Sequence, residues 1–220
     1  MCGRFARYSS TSELAWRYFD LKLGDDYDRP RYNIPPGTEL EAFRAAEEGG
    51  AAFQPMYWGF RHHRVMDGPT PINARAETVA TSPYFRHAFA HRRCIIPADG
   101  WYEWQPTEHG KQPYFVTLTD DAPQDVIFLA GIWEPMAVED ACCAIITEPA
   151  PPHLAHIHDR QPLTLDADCR WDWLNPELTE RAEIRRHTRR LNPEALRAYP
   201  VSPRVNRPFE DAPDLLIPIE

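Results

Sequence analysis

Cys94-Ile95-Ile96-Pro97-Ala98-Asp99-Gly100-Trp101-Tyr102-Glu103-Trp104 sets two short runs of β-branched and aromatic residues on either side of an Asp-Gly pair. Asp-Gly between such runs signals a tight hairpin, so Arg93–Ala98 and Trp101–Gln105 read as paired antiparallel strands. Downstream, Tyr114–Leu118, Val126–Trp133 and Cys142–Thr147 continue the β pattern. Upstream, Leu40–Arg44 and Ala52–Trp58 flank Glu48-Gly49-Gly50 and predict a second hairpin. Arg29–Thr38 reads as an extended loop and not a central strand, because Pro35-Pro36 favours polyproline II and supplies no backbone N–H. In Pro71–Thr78, alternation would project Asn73, Arg75 and Glu77 from one face of a strand.

Helices are expected to be short. Ser10 and Glu13 have capping-box spacing ahead of Leu14, Ala15, Tyr18 and Phe19. Ser82-Pro83 looks like an N-cap and first turn leading to about His91. Ala167–Leu174 and Pro176–Leu191 read as helices and Leu215–Pro218 as a last strand. The class is α+β: a largely antiparallel sheet curled into a barrel-like core, with short flanking helices and no linker, hence one domain over residues 1–220.

The 220 residues suffice to bury a core without staples, and 23 prolines against 10 glycines agree with short, rigidly connected elements. No apolar run reaches membrane-spanning length and the N-terminus has no apolar signal region, so a cytoplasmic protein is expected. Five cysteines without C-x-x-C spacing argue against a disulfide framework and a Cys-rich zinc site. The net charge of −9 argues against indiscriminate coating of nucleic acid. However, Arg4, Arg7, Arg75, Arg86, Arg92, Arg93 and Arg160 lie in segments with few acids, which predicts one local positive face.

Three places can carry chemistry. If Met1 is removed, Cys2 holds a free α-amine beside its thiol, with reference pKa values of about 7.7–8.0 and 8.5. Such a pair closes on one aldehyde carbon to a five-membered thiazolidine; an arbitrary start with a buried cysteine is the plain alternative. Glu103 lies between Tyr102 and Trp104, and burial against rings raises a carboxyl pKa toward that of a general acid near neutrality. His158-Asp159-Arg160 offers a proton shuttle beside a phosphate clamp, or simply a surface salt bridge. Metal binding is not expected: His87 and His91 lack the HExxH context, and His62-His63 and Cys142-Cys143 are adjacent pairs that alternate across a strand.

Seven motifs occur in order: MCGRFA at 1–6, RYNIPPGT at 31–38, WGF at 58–60, INARAET at 72–78, ADGWYEW at 98–104, IHDRQP at 157–162 and VSPRVN at 201–206. In these the chain resembles the SRAP family, the SOS response-associated peptidase fold that senses abasic sites in single-stranded DNA. The resemblance implies that Met1 is removed and that Cys2 forms a thiazolidine crosslink with the ring-opened abasic sugar, shielding the lesion. Asn73 is implied to hold the reacting groups. Glu103 is implied to act as acid/base in ring opening and water removal, and His158 to donate a proton and assist crosslink reversal. Arg4, Arg75 and Arg160 would bind phosphates, while Trp104, Asn33 and Pro36 would shape the cleft where the strand bends.

The expected partner is single-stranded DNA bearing abasic sites, met by a monomer at the nucleoid without cofactor or membrane. Residues 61–68 depart from the family by lacking its wedge tryptophans, which leaves His62, His63 or Met66 for that role. Gln161 is a second departure, expected not to affect His158. The rival reading is an N-terminal nucleophile amidohydrolase of the glutamine amidotransferase kind. It shares Met-Cys-Gly but leaves ADGWYEW and IHDRQP unexplained.

Overall fold

The computed structural model describes residues 2–62, 68–136 and 140–219. In chain order the elements are β1 (Phe5–Arg7), α1 (Thr11–Phe19), β2 (Arg31–Ile34), β3 (Glu39–Ala45), β4 (Ala51–Trp58), β5 (Asn73–Arg75) and α2 (Arg86–His91). They continue with β6 (Arg93–Ala98), β7 (Gly100–Thr107), β8 (Gly110–Leu118), β9 (Ile127–Pro135), β10 (Ala141–Pro149), β11 (Arg160–Pro162) and β12 (Thr164–Leu165). The last are α3 (Arg170–Leu174), α4 (Arg181–His187) and β13 (Leu196–Pro200).

Strands β10, β4, β3, β6 and β9 are hydrogen-bonded in that order, and β9 pairs again with β10, so the sheet closes into a ring. Closure removes the exposed edges of an open sheet. Pairing is antiparallel except where β4 and β5 lie parallel to β10. A second sheet, in the order β13-β8-β7-β1-β2, is antiparallel throughout its described pairings. Cys2, Phe5, Trp58, Trp101, Ile96, Leu129 and Ile145 belong to one buried cluster. Another joins α1 to the barrel, where Phe19 stacks on Phe43 at 4.2 Å. Full burial of a side chain such as Phe43 contributes about 1.5–3 kcal/mol.

Several expectations change on folding. Arg93–Ala98 and Gly100–Thr107 do not form a hairpin: β6 pairs β3 and β9 in the barrel, whereas β7 pairs β1 and β8 in the second sheet. Asp99-Gly100 is the crossing between sheets. The Asp99 carboxylate accepts the Tyr8 and Ser9 backbone N–H groups and the Ser9 hydroxyl. A Cβ at Gly100 would meet the Val116 carbonyl oxygen at 2.5 Å and the Phe115 ring at 2.3 Å. Glycine is thus required by close approach of β8, not by a turn.

Arg31–Ile34, expected as loop, is an edge strand, whose Tyr32 and Asn33 N–H groups go to the Asp211 carboxylate. Pro35 and Pro36 follow the strand and so take no part in its ladder. The 39–45 and 51–58 hairpin forms in full register from Glu39↔Tyr57 to Ala45↔Ala51. Ser10 caps α1 by accepting the Glu13 N–H at 3.0 Å. The helix expected from Ser82 begins only at Arg86, that of 176–191 shrinks to Arg181–His187, and Leu215–Pro218 provides one bridge, Val201↔Pro218, after a 3₁₀ turn. Residues 63–67, which include His63 and Met66, lie outside the described residues, as does Met1.

Candidate active site

Cys2 lies three residues before Phe5, and the pairing of Phe5 with both Ile34 and Trp101 holds the amino-terminal segment between β2 and β7 of the second sheet. Its side chain is wholly buried. Asn73, at the head of β5, donates its Nδ2–H to the Cys2 carbonyl at 2.9 Å. The Asn73 Oδ1 is buried and has no hydrogen-bond partner among the described residues. An acceptor in that condition is costly unless something it serves comes to it. Asn73 is where it is because β5 runs parallel to β10, with Asn73 opposite Ile145.

Glu103 lies on β7 opposite Tyr114, 3% exposed. Burial pushes its carboxyl up to about 7, so near neutrality it exists in both protonation states. Burial also pushes the Cys2 thiol far above its ordinary value, and the nearby Glu103 charge adds to the effect. At rest the thiol keeps its proton, and a carboxylate within electrostatic reach is the group able to accept it.

His158 follows a turn that ends against β11. Its Nδ1 accepts the Arg160 backbone N–H at 3.0 Å, which places the proton of the neutral ring on Nε2. Burial lowers its pKa and so favours that neutral ring. The Asp159 carboxylate, 3.0 Å from the same nitrogen, serves the protonated ring instead. Trp101, Glu103, His158, Arg160 and Gln161 line a narrow cavity of about 10 Å³. Glu103 and His158 also line a wider one of about 390 Å³ with Trp104, Lys111 and Asn206. A larger cavity of about 580 Å³ beside the Arg17–Asp125 ion pair holds none of these groups.

The structure therefore gathers Cys2 with Asn73 and Glu103, and Glu103 with His158, Arg160 and Trp104. The other sequence candidates stand differently. Asn33 is 3% exposed and donates Nδ2–H to the carbonyls of Val205, Arg207 and Glu210, while its Oδ1 accepts from Arg4 at 2.8 Å. Arg4 also donates to the Val205 carbonyl at 2.9 Å, so this pair clasps the 201–210 strap to β1 and β2. Arg75 is exposed at the end of β5, and Pro36 is half-buried in the turn after β2.

Four of the seven arginines of the expected positive face are buried or paired, while Arg75 and Arg86 stay exposed. Arg7 is buried against Glu41, Arg93 is buried against the carbonyls of Phe89, Ala90, Trp173 and Asn175, Arg92 pairs with Glu134, and Arg160 with Glu77. Sequence reading passed over Thr147, which holds Arg160 through its carbonyl; Gln161, noted there only as a departure from the family pattern, is buried in the narrow cavity with its Oε1 lacking a partner among the described residues. It also missed Asn206, whose Oδ1 accepts the Trp104 indole N–H at 2.7 Å; only its place in VSPRVN pointed to it. Among the described residues no three His, Cys, Asp or Glu side chains are grouped to hold a metal ion, and no helix is long and apolar enough to cross a membrane.

A buried cysteine next to the amino terminus, its carbonyl held by Asn73 from the ring-closed sheet and its thiol within electrostatic reach of Glu103 on the second sheet, is the arrangement the fold assembles between its two sheets. The chain belongs to the SOS response associated peptidase (SRAP) family, whose profile matches residues 1–208. It is 36% identical to abasic site processing protein YedK of Escherichia coli over 193 residues, covering 84% of this chain and 85% of that protein. It is 32% identical to abasic site processing protein HMCES of Gallus gallus, covering 100% of this chain and 78% of that protein. A crystal structure from Bacteroides thetaiotaomicron shares the fold over the full length of both chains, with TM-score 0.84 at 21% identity. A phage-related protein from Bordetella bronchiseptica aligns with TM-score 0.73 at 29% identity, over 91% of this chain and 94% of that one.

Proposed function

We propose that this protein captures abasic sites in single-stranded DNA as a thiazolidine at Cys2 after loss of Met1. The observation that carries the reading is the Asn73 to Cys2 bond beside a buried Glu103 at about 7. The printed names of the relatives, abasic site processing proteins, supply the substrate class.

An abasic sugar is mostly closed hemiacetal, so it must first open, which takes a proton on the ring oxygen and one off the anomeric hydroxyl. Glu103 and His158 are suited to that exchange, since His158 presents Nε2–H when neutral and Glu103 titrates near neutrality. The Cys2 α-amine then attacks the aldehyde carbon, and the carbonyl oxygen leaves as water with protons delivered by the same pair. The sulfur gives its proton to Glu103 and bonds to the imine carbon while the nitrogen takes a proton, closing the ring. Asn73, by anchoring the Cys2 carbonyl, holds nitrogen and sulfur in reach of one carbon. Run backwards with water, the same steps release the crosslink, and β-elimination from the imine stage is the lyase chemistry open to this site. Removal of Met1 at the same site would pass the methionyl carbonyl carbon from the Cys2 nitrogen, which takes a proton, to the Cys2 sulfur, and water would then hydrolyse that thioester to free methionine and restore the thiol.

The test is incubation of the mature protein with an abasic single-stranded oligonucleotide, read by intact mass and by denaturing gel. The expected product has the summed mass less one water and survives heat and detergent. Cys2→Ala should give no stable adduct. An adduct at another residue, or none with the wild type, would overturn the reading.

A further inference from the structure

We infer that Lys111 is the phosphate anchor of the wider cavity, a role that rests on the abasic-site reading above and adds to it the group that holds the strand. Three observations lead there. The about 390 Å³ cavity has the acid/base pair Glu103 and His158, an indole wall at Trp104 and one lysine among its lining residues. That volume falls within the about 300–1,000 Å³ usual for small-ligand clefts. Trp104 is fixed by its bond to Asn206, so its ring offers a set surface rather than a mobile one.

The register of the β7–β8 hairpin sets Lys111 opposite Pro106, hence diagonal to Trp104 on the same face. Such diagonal neighbours stand about 7–8 Å apart, within reach of a long side chain. A nucleotide with its sugar over Glu103 and His158 and a neighbouring base on the indole would bring its phosphate to the hairpin face that carries Lys111.

Charge accounting points the same way. Arg160, the nearest guanidinium to His158 in sequence, is engaged by both oxygens of Glu77 and by the Thr147 carbonyl. Arg4 is turned to Asn33 and Val205. Lys111 forms no ion pair among the described residues, is exposed, and its charge reaches His158. A strand phosphate approaching the cavity therefore meets this ammonium without first displacing a carboxylate.

Lysine is rare in this chain: Lys22 and Lys111 are its two lysines. Lys22 lies over the Trp16 ring on α1 and serves as an internal control. The experiment uses a single strand carrying a tetrahydrofuran abasic analogue, which cannot open to an aldehyde and so reports binding alone. Amine acylation followed by peptide mass spectrometry should show Lys111 protected at least threefold by that strand, with Lys22 labelled equally with and without it. In a salt titration, Lys111→Ala should weaken binding several-fold and reduce the slope of log K against log salt by about 0.7, the value for one phosphate contact on single strands. Lys111→Arg should restore the slope.

Equal labelling of Lys111 in both states, or an unchanged slope in Lys111→Ala, overturns the assignment. So does an equal loss of rate on free 2-deoxyribose, which has no phosphate and would place Lys111 in the chemistry. Because the analogue strand does not react, the labelling and salt readings stand whether or not the abasic strand crosslinks.

Discussion

Arg160 gives two guanidinium nitrogens to the two carboxylate oxygens of Glu77, at 2.7 and 2.9 Å, a bidentate pair at the rim of the site. This bond to Arg160 holds the Glu77 carboxyl down to about 2 and raises the arginine in turn. The pair occupies the fork that a phosphate would use. Glu77→Gln should therefore tighten binding of single-stranded DNA about two- to fivefold at low salt and steepen its salt dependence. Anisotropy titrations at several ionic strengths measure both. Weaker binding would show instead that Glu77 aims Arg160 at the strand. Glu77 is half exposed, so little stability should be lost.

Asn73 anchors the backbone of the residue proposed to react. Asn73→Ala keeps β5 on β10 but releases the Cys2 carbonyl, and loose positioning of a reacting group costs on the order of 10²-fold in rate. Single-turnover crosslinking should slow by about that factor while the folded spectrum is retained. A wild-type rate would remove Asn73 from the reaction.

Glu103 makes the protein's chemistry and its stability depend on pH in a linked way. Its folded value of about 7 lies above the ordinary glutamate value of 4.5, so the folded state binds the proton more tightly than the unfolded state. Stability from this group is then full below about pH 4.5 and falls as pH rises through about 7, by about 3 kcal/mol in all. Glu103→Gln should flatten that fall in denaturant melts between pH 5 and 8. It should also abolish the inflection near pH 7 in the crosslinking rate of the wild type. A persistent inflection would assign the titration elsewhere.

Gly100 carries the crossing between the two sheets. Any side chain there collides with the Val116 carbonyl, which the β7–β8 ladder holds rigidly. Gly100→Ala should cost about 3 kcal/mol or more, read as a lowered urea midpoint, whereas Gly24→Ala, with open space around its Cβ, should cost less. Equal losses would mean that the crossing has more room than the geometry allows.

Much was legible before any coordinates. The Glu48-Gly49-Gly50 hairpin, the Ser10 cap and the α+β class rest on local rules: turn residues, capping spacing and alternation act within a few residues of themselves. The helix starting at Arg86 rather than Ser82 and the short α4 show where local signals overreached: Ser82 opens a turn, with the Phe85 and Arg86 N–H groups on its carbonyl, before the helix begins. Asp99-Gly100 is the sharpest case. Asp-Gly obeys the hairpin rule in isolation, yet the Asp99 carboxylate is taken by Tyr8 and Ser9, 91 and 90 positions earlier, and strands that look like partners are sent to different sheets.

The sequence by itself determined which residues could react: Cys2, Asn73, Glu103 and His158 stand in short motifs, because a nucleophile, an amide, an acid and an imidazole are properties of side chains. Only the tertiary structure decided their states and company. Burial is what brings Glu103 to about 7, and parallel pairing of β5 on β10 is what carries Asn73 to Cys2. Long-range contacts also set Arg4 and Asn33 to clasping the 201–210 strap, Arg160 to Glu77, and left Lys111 beside Trp104. Desolvation and ion pairing depend on neighbours distant in the chain, and no local pattern of residues encodes which neighbours those will be.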